Sequence, residues 1–150
     1  MIGRVMANKY TLGFVDVGGC DTHVDQGGGG LTYTLNEFGK GLAGFASEIG
    51  PAAWKRTVVL VISEFGRTWH ENGSRGTDHG HGTAYWLMGG KLRGEQVRLS
   101  QATVNLGRDL PVLNEYRAVL GGLFQRMYGL NTAQVEKIFP GAQPVDLALV

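Results

Sequence analysis

The chain has 150 residues, 43% of them hydrophobic and 18% charged, and its 14 Lys+Arg against 13 Asp+Glu give a net charge of +1. This composition excludes an intrinsically disordered chain and fits one globular domain, residues 1–150, large enough to bury a core. The near-even charge excludes a global field that would draw the protein onto nucleic acid or an anionic membrane.

The lone cysteine, Cys20, rules out an intramolecular disulfide framework and a cysteine-rich zinc site. No apolar run approaches the roughly 20 residues of a membrane helix, and membrane insertion is not expected. The amino terminus, MIGRVMANKY, has no apolar stretch of the kind found in secretory signals. Glycine stands out at 25 residues, well above the usual level of about 7%. The glycines gather at 18–19, 27–30, 73–82 and 89–90, where polar residues also collect, as turns and ligand loops require.

In chain order, Tyr10 to Val17 is β-branched and aromatic and predicts a buried strand closed by Gly18-Gly19. Asp21 and His23 follow two residues apart, so on an extended backbone both side chains reach one side and could touch one cation. The alternative is a plain loop with Asp21 in an Asx-turn and His23 solvated. Leu31, Leu35, Phe38, Leu42, Phe45 and Ile49 trace the stripe of an amphipathic helix ended by Gly50-Pro51. Gly39, Gly41 and Gly44 formally match a dinucleotide fingerprint, but they lie inside that stripe instead of after a strand. Close helix packing is their expected role.

Thr57 to Ile62, TVVLVI, predicts a central parallel strand covered on both faces. Its carboxyl end delivers Ser63 and Glu64, with Arg67 beyond. Ligands of open parallel sheets sit at that end, which suits Glu64 as a ligand or base and Arg67 as an anion clamp. An Arg67–Glu64 ion pair is the structural alternative. A polar loop with the Asn72-Gly73 turn signal leads to Thr77-Asp78-His79-Gly80-His81-Gly82. There His79 and His81 share one side of an extended segment, and Asp78 can ligate a metal or orient an imidazole.

Ala84 to Met88 predicts another buried strand, and Lys91 to Gln101 a hairpin or surface excursion with Arg93 and Arg98 solvated. Val112, Tyr116, Val119, Leu120, Leu123, Phe124, Met127 and Leu130 define a second helical face with Gly129 as C-terminal cap. A last short helix follows, with Asn131 as N-cap and Pro140-Gly141 as stop. Strands alternating with helices predict an α/β layered domain with a largely parallel sheet, whose carboxyl edge gathers Asp21, His23, Glu64, Asp78, His79 and His81.

GGCDTH, the run VVLVISEFGRTWHENGSRGTDHGHG, the AYWLMGG strand and the PVLNEYRAVLGGLFQRMYGL helix together resemble the DUF1501 family, of the alkaline phosphatase and sulfatase-like superfamily. The resemblance implies an alkaline-phosphatase-like α/β/α fold in which acidic and histidine ligands bind divalent metals that activate a nucleophile and hold a phosphate or sulfate ester. Asp21 and His23 correspond to the family's GGWDTH pair, Glu64 and Arg67 to its SEFGR motif, and Asp78, His79 and His81 to its DHGHG motif. Cys20 stands where the family usually has tryptophan.

The chain resembles the carboxyl-terminal part of the family domain, so the earlier strand that carries a first aspartate and the nucleophile in the superfamily is not expected in it. The resemblance also implies a bacterial exported or periplasmic location for full-length relatives. An incomplete sheet would leave an apolar face open to self-association. The expected ligands are therefore Asp21, His23, Glu64, Asp78, His79 and His81, with Arg67 on a small anionic ester. Mixed oxygen and nitrogen donors favour zinc or manganese over calcium or magnesium. Ser63 and Thr77 are nucleophile candidates by proximity, and no G-x-S-x-G elbow is present. The competing expectation is a non-catalytic domain that uses the same pocket to hold a ligand, or its open face for assembly.

Overall fold

The structure, a computed structural model, describes residues 2–93 and 107–150. The predicted excursion over Lys91–Gln101 falls mainly on residues 94–106, outside the described residues, and Arg98 lies among them.

Helix α1 (Ile2–Asn8) opens the chain, and the predicted apolar stripe forms α2 (Gly30–Ile49), followed by the single turn α3 (Pro51–Trp54). Pro51 suits the first turn of α3 because its missing N–H is one that a helix start leaves unpaired anyway. The Gly3 N–H donates to Glu48 at 3.0 Å and ties α1 to the end of α2. The glycines at 39, 41 and 44 do not mediate close packing: a β-carbon on any of them would meet open space. Replacing each by alanine is expected to raise stability by up to about 1 kcal/mol by removing backbone entropy from the unfolded chain. Thermal unfolding of the triple variant checks this, and a lowered midpoint would show a hidden contact on that face.

Within the apolar run 57–62, strand β1 (Val59–Val61) pairs with β4 (Trp86–Met88), and β2 (Gly66–Arg67) pairs with β3 (His79–Gly80). Both pairings are antiparallel, with Leu60 opposite Leu87 and Arg67 opposite His79. The predicted alkaline-phosphatase-like α/β/α layering on a largely parallel sheet is therefore corrected: among the described residues there are only two-stranded antiparallel sheets. An unbroken apolar run signals burial, but it carries no information about the direction or number of its neighbours. β1 is half-buried beside one partner.

The predicted strand Tyr10–Val17 also fails to form. It has no ladder partner, and Phe14 is 91% exposed, with Leu12 and Val15 exposed as well. β-propensity describes a fit to a half-buried pleated surface, and without a sheet beside it the segment remains irregular.

The core lies toward the carboxyl end, where α4 (Tyr116–Tyr128) and α5 (Thr132–Ile138) bury Ala118, Val119, Leu123 and Val135 together with Ala142 and Val150 of the tail. α4 starts later than the apolar pattern suggests, with Glu115 accepting from the Arg117 N–H as N-cap. It closes at Gly129, whose φ of 67° suits a residue without a β-carbon. Asn131 caps α5 in a reciprocal box with Gln134.

The tail straps onto α4 through Val145 N–H to the Ala118 carbonyl at 2.9 Å and Arg126 Nε to Asp146 Oδ1 at 2.6 Å. The Arg126 hydrogen bond, assisted by the Ala148 N–H, holds the Asp146 carboxyl below its ordinary value of 3.8. A depressed folded-state value means that this contribution is fully present above pH 3.8 and is lost as pH falls through the lower, folded value. Amide exchange at Val145 is expected to accelerate in that acid window in the natural protein. Asp146→Asn should remove the acid-dependent step; an unchanged step would assign it to another group.

Candidate metal centre

Two loops build the site. The first runs from Gly18 to Gln26, and the second from Thr68 to Gly82 around the turn of the β2–β3 ribbon. They are laced together by backbone bonds from Asp25 N–H to Ser74 and from Gln26 N–H to Arg75, at 2.9 and 2.8 Å. Asn72 forms the knot. Its Nδ2 donates to the His23 carbonyl at 3.0 Å and to Asp78 Oδ1 at 2.9 Å. Its Oδ1 accepts from the Ser74 and Gly76 N–H groups at 2.9 and 3.0 Å. The sequence marked Asn72 only as a turn residue, yet its amide fixes both loops.

Asp21 Oδ1, His23 Nε2 and His79 Nε2 form a triangle with every edge 3.0 Å. The three are brought together as a group that could hold a metal ion, and the side chains are about half exposed. Ligands about 2.0–2.1 Å from a metal stand roughly 3.3 Å apart in a tetrahedron and roughly 3.0 Å apart at adjacent octahedral corners. The triangle fits either geometry. Two imidazole nitrogens and one carboxylate oxygen form a donor set that a divalent metal ion can accept.

The Phe65 ring stacks on His79 with centroids 3.9 Å apart and fixes the plane of that imidazole. Asp78 Oδ1 stands 3.6 Å from His23 Nδ1, on the ring edge away from the triangle. At that distance Asp78 is a charged neighbour of the His23 ring, beyond hydrogen-bond range.

Arg67 lies behind the triangle. Its guanidinium donates to Asp21 Oδ1, the Thr22 carbonyl and the Thr77 carbonyl, while Nε donates to Thr77 Oγ1 at 2.9 Å. Its carboxylate partner is thus Asp21 and not Glu64. Thr77 Oγ1 in turn donates to Gln26 Oε1 at 2.8 Å. Loss of solvent raises the Asp21 carboxyl, but the Arg67 and His79 hydrogen bonds and the neighbouring imidazoles outweigh this and hold it below its ordinary value. The Asn72 amide, ahead of the His23 interactions, lowers Asp78 likewise.

Of the other predicted site residues, Ser63 and Glu64 are exposed, and the Ser63 hydroxyl donates to Glu64 at 3.4 Å. His81 turns to a different partner, with Nδ1 3.0 Å from Oδ2 of the buried Asp109. The triangle therefore gathers Asp21, His23 and His79, with Asp78 at its margin. Beside it, Gln26, Leu31, Trp69, Glu71, Arg75 and Thr77 line an open cleft of about 400 Å³, within the size range of small-molecule sites.

Fold and site together define a small mixed α/β protein that carries a candidate carboxylate–bis-imidazole metal centre. Residues 1–115 match the family model described as "Protein of unknown function (DUF1501)". The chain belongs to that family, and all the residues of the site lie within the matched span. No curated protein matches the chain, and no solved structure does. Among the described residues, no helix is long and apolar enough to cross a membrane.

Proposed function

We propose that this chain is the metal-binding portion of a hydrolase of the alkaline phosphatase and sulfatase-like kind that acts on phosphate or sulfate esters. The 3.0 Å triangle of Asp21, His23 and His79 carries the reading, because residues 56 and 58 positions apart supply mutually adjacent donor atoms from two interlocked loops. A bound zinc or manganese ion would polarise the ester oxygen and offset charge in the transition state. Asp21, His23 and His79 would hold the ion, with the Asp78 carboxylate beside the His23 ring. Arg67 keeps the Asp21 carboxylate turned toward the imidazoles and brings positive charge next to an incoming anion. The Trp69-lined cleft receives the organic part of the ester. The Thr77 hydroxyl is engaged by Arg67 and Gln26 and that of Ser63 by Glu64, and in this reading the chain supplies binding and charge stabilisation without being catalytically complete alone.

Zinc supplied at about 100 times its dissociation constant should stabilise the fold by about 2.7 kcal/mol. For a chain of this length that corresponds to a rise of roughly 5–10 °C in the unfolding midpoint. Nitrophenyl phosphate and nitrophenyl sulfate assays with zinc or manganese then test the reaction class. An unmoved midpoint with every divalent metal defeats the metal reading. A raised midpoint without turnover of either ester leaves a binding domain.

That second reading has support of its own. Tyr10, Leu12, Phe14, Val15 and Val17 are exposed along one segment, and clustered apolar exposure is a mark of association surfaces. A non-catalytic assembly role would make the protein self-associate in sedimentation experiments, whereas a monomer at high concentration would count against it.

A further inference from the structure

We infer that Asn72 is a modification site: spontaneous deamidation at Asn72-Gly73 turns the side chain that interlocks the two loops into a carboxylate and so disassembles the metal centre. The consequence for zinc rests on the metal-centre reading above, whereas the modification and its effect on stability do not. Asn72 is the one asparagine of the chain that precedes a glycine. In the reaction the Gly73 backbone nitrogen gives up its proton and attacks Asn72 Cγ. The new N–C bond closes a succinimide, and the Cγ–Nδ2 bond breaks to release ammonia, which carries that proton away. Water then adds to one of the two ring carbonyls and opens the ring to aspartate or isoaspartate.

Gly73 is exposed, a β-carbon there would meet open space, and among the described residues its N–H has no hydrogen-bond acceptor. The nucleophile is unhindered and uncommitted. Asn72 Oδ1 accepts from the Ser74 and Gly76 N–H groups, donors placed to stabilise the negative charge that gathers on this oxygen when Cγ is attacked. Nδ2, the departing group, leaves only by giving up its bonds to the His23 carbonyl and to Asp78 Oδ1, and the first of these ties one loop to the other. A metal ion that keeps His23 beside His79 therefore slows the reaction by holding the loops closed. After conversion an oxygen replaces the amide nitrogen that stood 2.9 Å from Asp78 Oδ1 and 3.0 Å from the His23 carbonyl. A carboxylate can only accept, so both bonds are lost and two negative charges are brought together. The isoaspartate product also adds a carbon to the main chain inside the turn.

The test is prolonged incubation of the natural chain in mildly alkaline buffer, with peptide mass spectrometry for the exchange of NH2 for OH at Asn72 and an assay for isoaspartate. Metal-free protein should convert at Asn72 ahead of every other asparagine, and Gly73→Ala should suppress the conversion. Zinc ions at about 100 times their dissociation constant should slow it by at least about tenfold. Asn72→Asp, the conversion made directly, should bind zinc at least about tenfold more weakly and unfold at a lower temperature. Should that variant not fold, natural chain aged without metal and resolved by ion exchange into intact and deamidated forms supplies the same comparison. No conversion at Asn72 in metal-free protein, or a deamidated form with the zinc affinity and unfolding midpoint of the intact one, would overturn the proposal. Conversion as fast with zinc bound as without it would overturn the link to loop opening. If the natural chain binds no zinc the metal reading fails, and the modification site is then decided by conversion at Asn72 and by the midpoint of Asn72→Asp.

Discussion

His79→Ala is expected to weaken zinc binding by about a hundredfold or more, a loss of at least about 2.7 kcal/mol. Removing even an outer partner of a ligand costs about 10–100-fold in metal affinity, and His79 offers one of the three donor atoms of the candidate site. The triangle has no spare corner, because Asp78 approaches His23 through Nδ1 and not through the nitrogen that faces Asp21 and His79. The fold itself should tolerate the change: the His79 side chain is about half exposed, and truncating it forfeits mainly the stack on Phe65. Calorimetric titration with zinc beside His70→Ala, an exposed histidine outside the triangle, separates the site from general histidine binding. Equal losses in the two variants would show that the affinity does not belong to the triangle.

Gly76→Ala should damage the centre without touching a ligand. A β-carbon at Gly76 would overlap the backbone carbonyl of His23 and crowd the Val24 nitrogen, where only rigid main chain is available to move. Overpacking of this kind costs about 1–3 kcal/mol. Here the strain falls on the seam that carries the Asp25–Ser74 and Gln26–Arg75 hydrogen bonds. Parting the loops separates His23 from His79, so zinc affinity should fall by at least about tenfold along with stability. Gly73→Ala is the control, since its β-carbon would project into open space. If Gly76→Ala binds zinc as tightly as Gly73→Ala does, the interlock of the two loops is not what assembles the centre.

The candidate site was more legible in the sequence than the fold was. Asp21 and His23, two residues apart between glycines, have a spacing that converges on one side wherever the backbone is extended. The cluster Asp78-His79-Gly80-His81 is dense enough in ligand types to mark a site by composition. Spacing could not tell which of its histidines turns toward Asp21, because that depends on a long-range pairing: His79 goes to the triangle and His81 to Asp109. Asp109 itself sits in GRDLP, where a single acid beside an arginine gives no local signal. Its contact with His81 arises only once residues 108–110 lie against the ribbon, where Asp109 bridges to Thr68 and Leu110 to Gly82. Asn72 was legible as a turn, but its four hydrogen bonds across two loops were not.

The helices over Gly30–Ile49 and Thr132–Ile138 follow from apolar spacing and capping, both of which are local properties. The parallel sheet rests on three apolar runs, Tyr10–Val17, Thr57–Ile62 and Ala84–Met88, whose strand character depends on neighbours. Val59–Val61 found an antiparallel partner in Trp86–Met88, and Tyr10–Val17 found none. Burial on both faces was read from composition, but a sheet exists only through pairing.

The most direct test of the centre is metal analysis of protein loaded with one equivalent of zinc and then exhaustively dialysed against metal-free buffer. The natural chain should retain about one zinc, and the combined Asp21→Ala, His23→Ala and His79→Ala variant, still folded by circular dichroism, should retain none. Equal retention by the two proteins, or none by either, would contradict a metal centre at Asp21, His23 and His79.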